Sequence, residues 1–188
     1  MMKKTKITFN APVILGFVFA CLVVMILNVI TLGGSNGLLF TTWHSSLRSP
    51  LTYLRLFTHV MGHNGWSHYI GNMSYILLLG PMLEEKYGSK KILAVMVITA
   101  LVTGIVNYVF FWNVALCGAS GIVFAFILLT SFTSFKEGEI PLTFILVFVV
   151  YIGQQVYEGV FLNDDVSNLS HIIGGLIGAV TGYRFNRK

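Results

Sequence analysis

The chain has 188 residues, of which 55% are hydrophobic and 10% charged, and its formal net charge at pH 7 is +5. A mean hydropathy of +0.79 excludes an ordinary soluble domain, because in water such a surface would expose apolar patches that monomers do not tolerate. The two cysteines, Cys21 and Cys117, form no CxxC or Cys/His zinc spacing, so neither a disulfide framework nor a cysteine-based zinc site is expected. The composition predicts a small polytopic membrane protein.

Six apolar stretches are long enough, or nearly so, to cross about 30 Å of hydrocarbon as helices. In chain order they are residues 11–32, 66–83, 92–112, 117–135, 140–161 and 169–185. The first stretch has full span length and no clear small-x-small cleavage site, so a cleavable signal peptide is not expected. We predict one all-α polytopic membrane domain over residues 1–188, with both termini on the same side.

Lysine and arginine predict the orientation, because basic loops near span ends resist translocation. One side of the predicted bundle carries only Arg48 and Arg55. The other side carries ten basic residues: Lys3, Lys4, Lys6, Lys86, Lys90, Lys91, Lys136, Arg184, Arg187 and Lys188. We therefore expect cytoplasmic termini, and a positive charge that lies at the membrane edges and needs no nucleic-acid partner to explain it. The small size of the chain and the lack of a targeting extension make a bacterial cell membrane the simplest expected location.

The connection between the first two stretches, residues 33–65, is the longest in the chain and is rich in aromatic and short apolar runs. Such runs are too interrupted to span a membrane. They favour helices that lie in the outer interface. An ordinary structured loop is an equally open interpretation of the same composition.

Spans two, four and six run in the same direction, so their first turns share one depth. Span two begins with His68 and Asn72, span four with Ser120, and span six with His171. Polar residues at membrane depth usually face a protein interior or a wet cavity and indicate function. Each also has a structural interpretation: Ser120 as a small helix-contact residue, His171 as an interfacial histidine, and Asn72 as a hydrogen-bonding residue between helices.

Small residues recur at intervals of three or four on two of these spans. They are Gly118, Gly121 and Ala125 on span four, and Gly174, Gly178 and Gly182 on span six. Such stripes permit close backbone contact between two helices. Close packing would bring Ser120 Oγ within reach of the His171 imidazole, which a base needs in order to activate a weak nucleophile.

Three motifs resemble those of the rhomboid intramembrane serine proteases, and the resemblance covers all six spans. Gly118-Ala119-Ser120-Gly121 is similar to the family's GxSG, His68 to Asn72 to its HxxxN, and His171 with Gly174 and Gly178 to its HxxGxxxG. Further agreement comes from a list of single positions: Arg55, His59, His63, Glu84 and Gly88. The chain departs from the family at Leu54, usually tryptophan, and Ser170, often alanine, and resembles the minimal six-span form.

The resemblance implies a six-helix rhomboid-like bundle with a catalytic dyad. Ser120 would be the nucleophile and His171 the general base, while His68, Asn72 and the Ser120 backbone N–H would form the oxyanion hole. Phe124, where relatives often carry tyrosine, would stack against His171 in place of a third, acidic residue. No cofactor or metal is implied.

The implied substrates are transmembrane helices that partly unwind near their outer end. The fifth span, with Phe144, Phe148, Tyr151 and Tyr157, is the expected gate for their lateral entry. We interpret Asp164 and Asp165 as an ordinary solvated turn rather than as part of a triad.

Two other classes remain open. His59, His63 and His68 are spaced closely enough for a metal-binding or transport protein. A non-catalytic rhomboid-like protein that binds membrane clients is also possible, although both dyad residues are retained.

Overall fold

The chain is helical in the computed structural model, which describes residues 7–133, 139–161 and 167–187. An isolated bridge between Thr42 and Leu116 is the only strand-like pairing in these ranges. The helices, in order, are α1 (Pro12–Ile30), α2 (Gly34–Leu39), α3 (Pro50–Thr58), a 3-10 helix (His59–Met61), α4 (Trp66–Tyr87), α5 (Ser89–Phe110), α6 (Ser120–Thr130), α7 (Leu142–Phe161) and α8 (Ser167–Asn186). The predicted all-α class is confirmed.

The long helices coincide with the six predicted stretches, but several ends differ. α4 continues to Tyr87, four residues past its predicted end, and α5 begins directly afterwards at Ser89. α6 begins at Ser120 rather than at Cys117, because Gly118 has φ +128°, which is not helical. By length and composition, α1 and α5 are long and apolar enough to cross a membrane. The crossings of the other four helices stay a prediction.

α6 is the central helix of the bundle. It packs most extensively against α8 and also contacts α4, α5 and α7. Its buried apolar side chains point in every direction around the helix axis: Ile122, Val123, Ala125, Phe126, Ile127, Leu128 and Leu129. A helix that is apolar on all sides belongs in an interior. The residue at its start is therefore surrounded by other helices.

The outer surface of the bundle is apolar as well. On α1 alone the exposed side chains include Phe19, Val23, Ile26 and Ile30, and α7 exposes Val149 and Val150. Large contiguous apolar surfaces are unfavourable in water, whereas lipid solvates them directly. The packing thus agrees with a membrane helical bundle.

A buried carboxylate joins three helices at one end of the bundle. Glu84, only 4% exposed, accepts the backbone N–H groups of Val13 at 3.1 Å and Ile14 at 3.0 Å. It also accepts the Ser89 hydroxyl at 2.6 Å. A negative charge is favourable at a helix N-terminus, where backbone N–H groups lack partners. Glu84 of α4 therefore holds the start of α1 and the start of α5.

The long first connection contains α2, α3 and the 3-10 helix, and the placement of these helices in the outer interface stays a prediction. Within it, buried Arg55 donates from Nε to the Leu38 carbonyl at 2.9 Å, and its guanidinium lies 3.9 Å above the Trp43 ring. Next to Trp43, Thr42 exchanges two backbone hydrogen bonds with Leu116, each 2.9 Å long. This bridge fixes the connection against the segment that leads into α6.

Candidate active site

Ser120 is the first residue of α6 and is half-buried. The N–H groups of the first turn of any helix have no intrahelical acceptor, and the preceding residue, Ala119, offers them no side-chain cap. These donors, with the positive end of the helix dipole, lie beside the Ser120 hydroxyl. Such a helix start suits a developing negative charge.

Gly118 shapes the approach to this helix start. Its φ of +128° is one that L side chains rarely adopt, and a Cβ atom there would lie 2.6 Å from His68 Cε1 and 2.8 Å from His68 Nε2. The Gly118 N–H donates to the His59 carbonyl at 2.9 Å. The predicted small-residue stripe therefore needs one correction: Gly118 lies before α6 and faces α4, not α8.

The other small residues bring the backbones of α6 and α8 into contact. A Cβ atom on Gly174 would collide with the Gly121 carbonyl, and one on Gly178 would collide with the Ala125 carbonyl. Only glycine permits this approach at both positions of α8. Because Gly174 lies one turn after His171, the contact holds His171 near the start of α6.

The His171 imidazole stacks on Phe124. The ring centroids are 4.4 Å apart and the planes differ by 5°. Phe124 lies one turn after Ser120, so the two residues share a face of α6. The structure thus places the His171 ring over the face that begins with Ser120. Within the described residues, no hydrogen bond joins Ser120 Oγ to His171 Nε2.

His171 does form a hydrogen bond that the sequence analysis missed. Its Nδ1 atom lies 2.5 Å from Oε1 of Gln155, a residue of α7 that is 5% exposed. A signal was present in the sequence, because Gln154 and Gln155 are amides inside an apolar span. An amide at that depth needs a hydrogen-bonding partner.

His68 and Asn72 lie on one face of α4, four residues apart, and both approach Gly118. The Asn72 amide nitrogen would be 3.7 Å from a Cβ atom at Gly118. Asn72 is only 7% exposed, and its Nδ2 is buried without a hydrogen-bond partner among the described residues. A buried donor of this kind costs free energy unless an acceptor reaches it. The arrangement can bind an anionic oxygen near Ser120.

Behind His68 lie two buried, neutral histidines. The His63 ring meets the His68 ring edge to face at 5.0 Å, and its Nδ1 donates to the Met61 carbonyl at 3.1 Å. His59 Nε2 lies 3.3 Å from the Thr103 hydroxyl. Burial lowers the pKa of His59 to about 3.

For His63, burial and then the charge of His68 lower the pKa to about 4, against the opposing effect of the Met61 hydrogen bond. Both groups therefore stay uncharged at neutral pH. Across residues 7–133, 139–161 and 167–187, no three side chains of the types His, Cys, Asp and Glu gather as a metal site would require.

The aromatic residues of the expected gate take different positions. The Tyr151 and Phe124 rings meet edge to face, with 6.1 Å between their centroids. The centroids of the Phe144 and Phe148 rings are 5.9 Å apart. Tyr157 is 58% exposed.

The aspartates at 164 and 165 lie outside the described residues, as do the basic residues at 3, 4, 6, 136 and 188.

Comparison with known proteins adds two findings. Residues 50–188 match the family model of the Rhomboid domain. The chain is also 28% identical over 133 residues to the protein described as Rhomboid protease GlpG from Haemophilus influenzae (strain ATCC 51907 / DSM 11121 / KW20 / Rd). That match covers 69% of this chain and 68% of the relative.

Proposed function

The chain belongs to the rhomboid family, and on that premise we propose that it is an intramembrane serine endopeptidase. In this proposal it cleaves transmembrane segments of membrane proteins near the outer membrane face, with both termini in the cytoplasm. The relative described as a rhomboid protease supports the activity. The observation that carries the site assignment is the stack of His171 on Phe124, on the α6 face that begins with Ser120.

Ser120 and His171 divide the chemistry between them. Ser120 Oγ attacks the carbonyl carbon of the scissile peptide while its proton passes to His171 Nε2. The peptide C–N bond then breaks, and the same proton goes to the leaving amine. Water attacks the resulting acyl ester and loses a proton to His171, which returns it to Ser120 Oγ. No cofactor or metal takes part.

The oxyanion of each tetrahedral intermediate is bound by His68, Asn72 and the Ser120 backbone N–H. Two features support this assignment. The buried Nδ2 of Asn72 lacks a partner in the described structure, and the first turn of α6 supplies further donors. Donors already aimed at the place where charge develops need no reorganisation during the reaction. They therefore stabilise the transition state more than the substrate.

Substrate helices enter the site from the membrane. A helix hides its peptide bonds in internal hydrogen bonds, so the preferred substrates contain glycine, proline or other helix-destabilising residues near the cut. We propose α7 as the gate, because this helix lies between the outside of the bundle and the dyad. Its outer side is exposed, and its Tyr151 contacts the Phe124 ring beside the dyad. Replacing Phe144 or Phe148 with alanine should speed cleavage if gating limits the rate.

The test is cleavage of a single-span substrate by the purified chain in proteoliposomes, followed on a gel. Ser120→Ala and His171→Ala should each abolish cleavage. Ser131→Ala is the matched control, because it removes a hydroxyl near the far end of the same helix region, where Oγ donates to the Ile127 carbonyl. Full activity in the Ser120 variant would refute the dyad.

Absence of cleavage by the unmodified chain, across several substrates, would favour the client-binding alternative. Folding of every variant is checked by thermal unfolding, so that lost activity is not confused with lost structure.

A further inference from the structure

Gln155 on α7 contacts the proposed base directly. Its Oε1 lies 2.5 Å from His171 Nδ1, and its side chain is 95% buried (5% exposed). We propose that Gln155 is a positioning residue that holds His171 in the tautomer with the proton on Nδ1. The proposal rests on the proposed function, since it assigns a role in the same reaction.

The tautomer follows from the chemistry of the two partners. An amide oxygen only accepts hydrogen bonds, so His171 Nδ1 must donate. A neutral imidazole has one N–H, and with that proton on Nδ1 the lone pair is on Nε2. Only the nitrogen with a lone pair can take the Ser120 proton. Gln155 therefore selects the reactive form of the base.

The hydrogen bond also supplies an orientation that stacking alone does not. The Phe124 ring lies parallel to the imidazole, within 5°, and this contact permits the imidazole to turn within its own plane. A bond at Nδ1 stops that rotation and directs Nε2 away from α7. Two neighbouring helices thus fix His171 together, α6 through a ring and α7 through an amide.

An amide is suited to this task inside an apolar bundle. The carboxylate found at this position in many serine proteases would have to be buried there, and an unpaired buried charge is costly. When His171 takes the Ser120 proton it becomes a cation, and its hydrogen bond to Oε1 becomes charge-assisted and stronger. Gln155 therefore favours the charged intermediate without adding a permanent charge.

Packing at the contact between α7 and α8 keeps Gln155 in place. Ile152, three residues earlier on α7, is 6% exposed, and its Cδ1 occupies space that a Cβ atom on Gly175 would need. Residues three apart share a helix face. The contact of Ile152 with Gly175 on α8 therefore also places Gln155 beside His171. A displacement of α7 would remove the hydrogen bond from the base.

The first test measures the tautomer directly, by ¹⁵N NMR of histidine-labelled protein in bilayers. The chain has five histidines, and the His171 signal is assigned by its loss in His171→Ala. We expect a protonated Nδ1 and an unprotonated Nε2 at neutral pH. In Gln155→Leu the proton should redistribute between the two nitrogens. A proton on Nε2 in the unmodified chain would overturn the proposal.

The second test is kinetic. Gln155→Leu should lower kcat roughly 10- to 100-fold, by analogy with the loss of a hydrogen-bond partner that orients a metal-bound histidine, with little change in KM. Gln155→Glu, which retains an acceptor for Nδ1–H, should recover most of that loss. Gln154→Leu is the matched control, because Gln154 is exposed on another face of α7. The same substitution there should leave kcat unchanged.

An unchanged kcat and an unchanged tautomer in Gln155→Leu would refute the positioning role. If the leucine variant does not fold, the glutamate variant and the tautomer of the unmodified chain still decide the question. The NMR result needs no proteolysis, so failure of this inference is distinguishable from failure of the proposed protease activity.

Discussion

The ring of Phe124 lies parallel to the imidazole of His171, with 4.4 Å between the centroids. This contact joins the central helix α6 to α8 beside the proposed nucleophile. It uses an apolar side chain to support a polar group, and stacked aromatic pairs contribute about 0.5–1.5 kcal/mol beyond their buried area. The consequences of removing it are measurable.

Phe124→Leu should lower kcat about 2- to 10-fold, the rate equivalent of a lost stack of that energy. KM should change little, because in the proposed mechanism Phe124 supports the base rather than the substrate. Phe124→Tyr keeps the ring and should retain most activity. Steady-state cleavage in proteoliposomes measures kcat and KM for both variants. Equal rates in the leucine and tyrosine variants would show that the stack does not position His171.

Asn72→Leu should separate activity from stability. Removal of an oxyanion donor typically lowers kcat about 10²–10³-fold. Because Asn72 Nδ2 has no partner among the described residues, its replacement by an apolar side chain should not lower the melting temperature and should raise it slightly. Cleavage rates and thermal unfolding measure the two effects. Asn113→Leu, at an exposed loop position, is the control for kcat.

A large loss of stability in the Asn72 variant, with normal cleavage per folded molecule, would contradict the oxyanion assignment. Such a result would indicate that Asn72 is a structural link between helices.

Gly174→Ala should destabilise the bundle and slow cleavage. The added Cβ would collide with the Gly121 carbonyl, so α8 must move away from α6 near His171. Overpacking of this kind costs about 1–3 kcal/mol. Gly153→Ala is the matched control on α7, because no atom lies within 4 Å of its added Cβ. That variant should be neutral or slightly stabilising.

Thermal unfolding and cleavage are measured for both variants. Equal melting temperatures for Gly174→Ala and Gly153→Ala would mean that the backbones of α6 and α8 are not in contact.

Buried His59 makes the stability of the bundle depend on pH. Its pKa is about 3 in the folded chain and about 6.5 when unfolded. The neutral form is favoured by folding, so stability is complete above pH 6.5 and falls as the pH drops toward 3. At pH 5 the loss from this one group is roughly 2 kcal/mol. His59→Gln should flatten the decline in melting temperature between pH 7 and pH 5; an equally steep decline would argue against a neutral, buried His59.

The hydropathy of the sequence predicts where the helices are but not which side of each faces inward. In water, an amphipathic pattern distinguishes the two sides of a helix. In lipid both sides are apolar: α1 buries Ile14 and Val24 and exposes Phe19 and Ile30. Orientation is then indicated mainly by small and polar residues, which is why the spacing of Gly174 and Gly178 located the contact with α6.

The limits of the sequence are clearest at Gln155 and Gly118. Gln155 reaches His171 across the packing of α7 on α8, and hydropathy reports depth in the membrane without the angle around the helix axis. Gly118 continues the small-residue spacing, yet its φ of +128° takes it out of α6. A repeat in sequence is a repeat on one helix face only while the backbone stays helical.

Glu84→Gln should lower the melting temperature and leave cleavage per folded molecule nearly unchanged. The carboxylate accepts three hydrogen bonds from Val13, Ile14 and Ser89, whereas an amide offers only one accepting oxygen and no negative charge for the start of α1. A buried N–H left without its acceptor costs about 1–3 kcal/mol. Glu85→Gln is the control, since the neighbouring carboxylate is exposed. Equal stability of the two variants would mean that Glu84 does not hold α1 and α5 together, and a selective loss of kcat would instead connect this end of the bundle to the dyad.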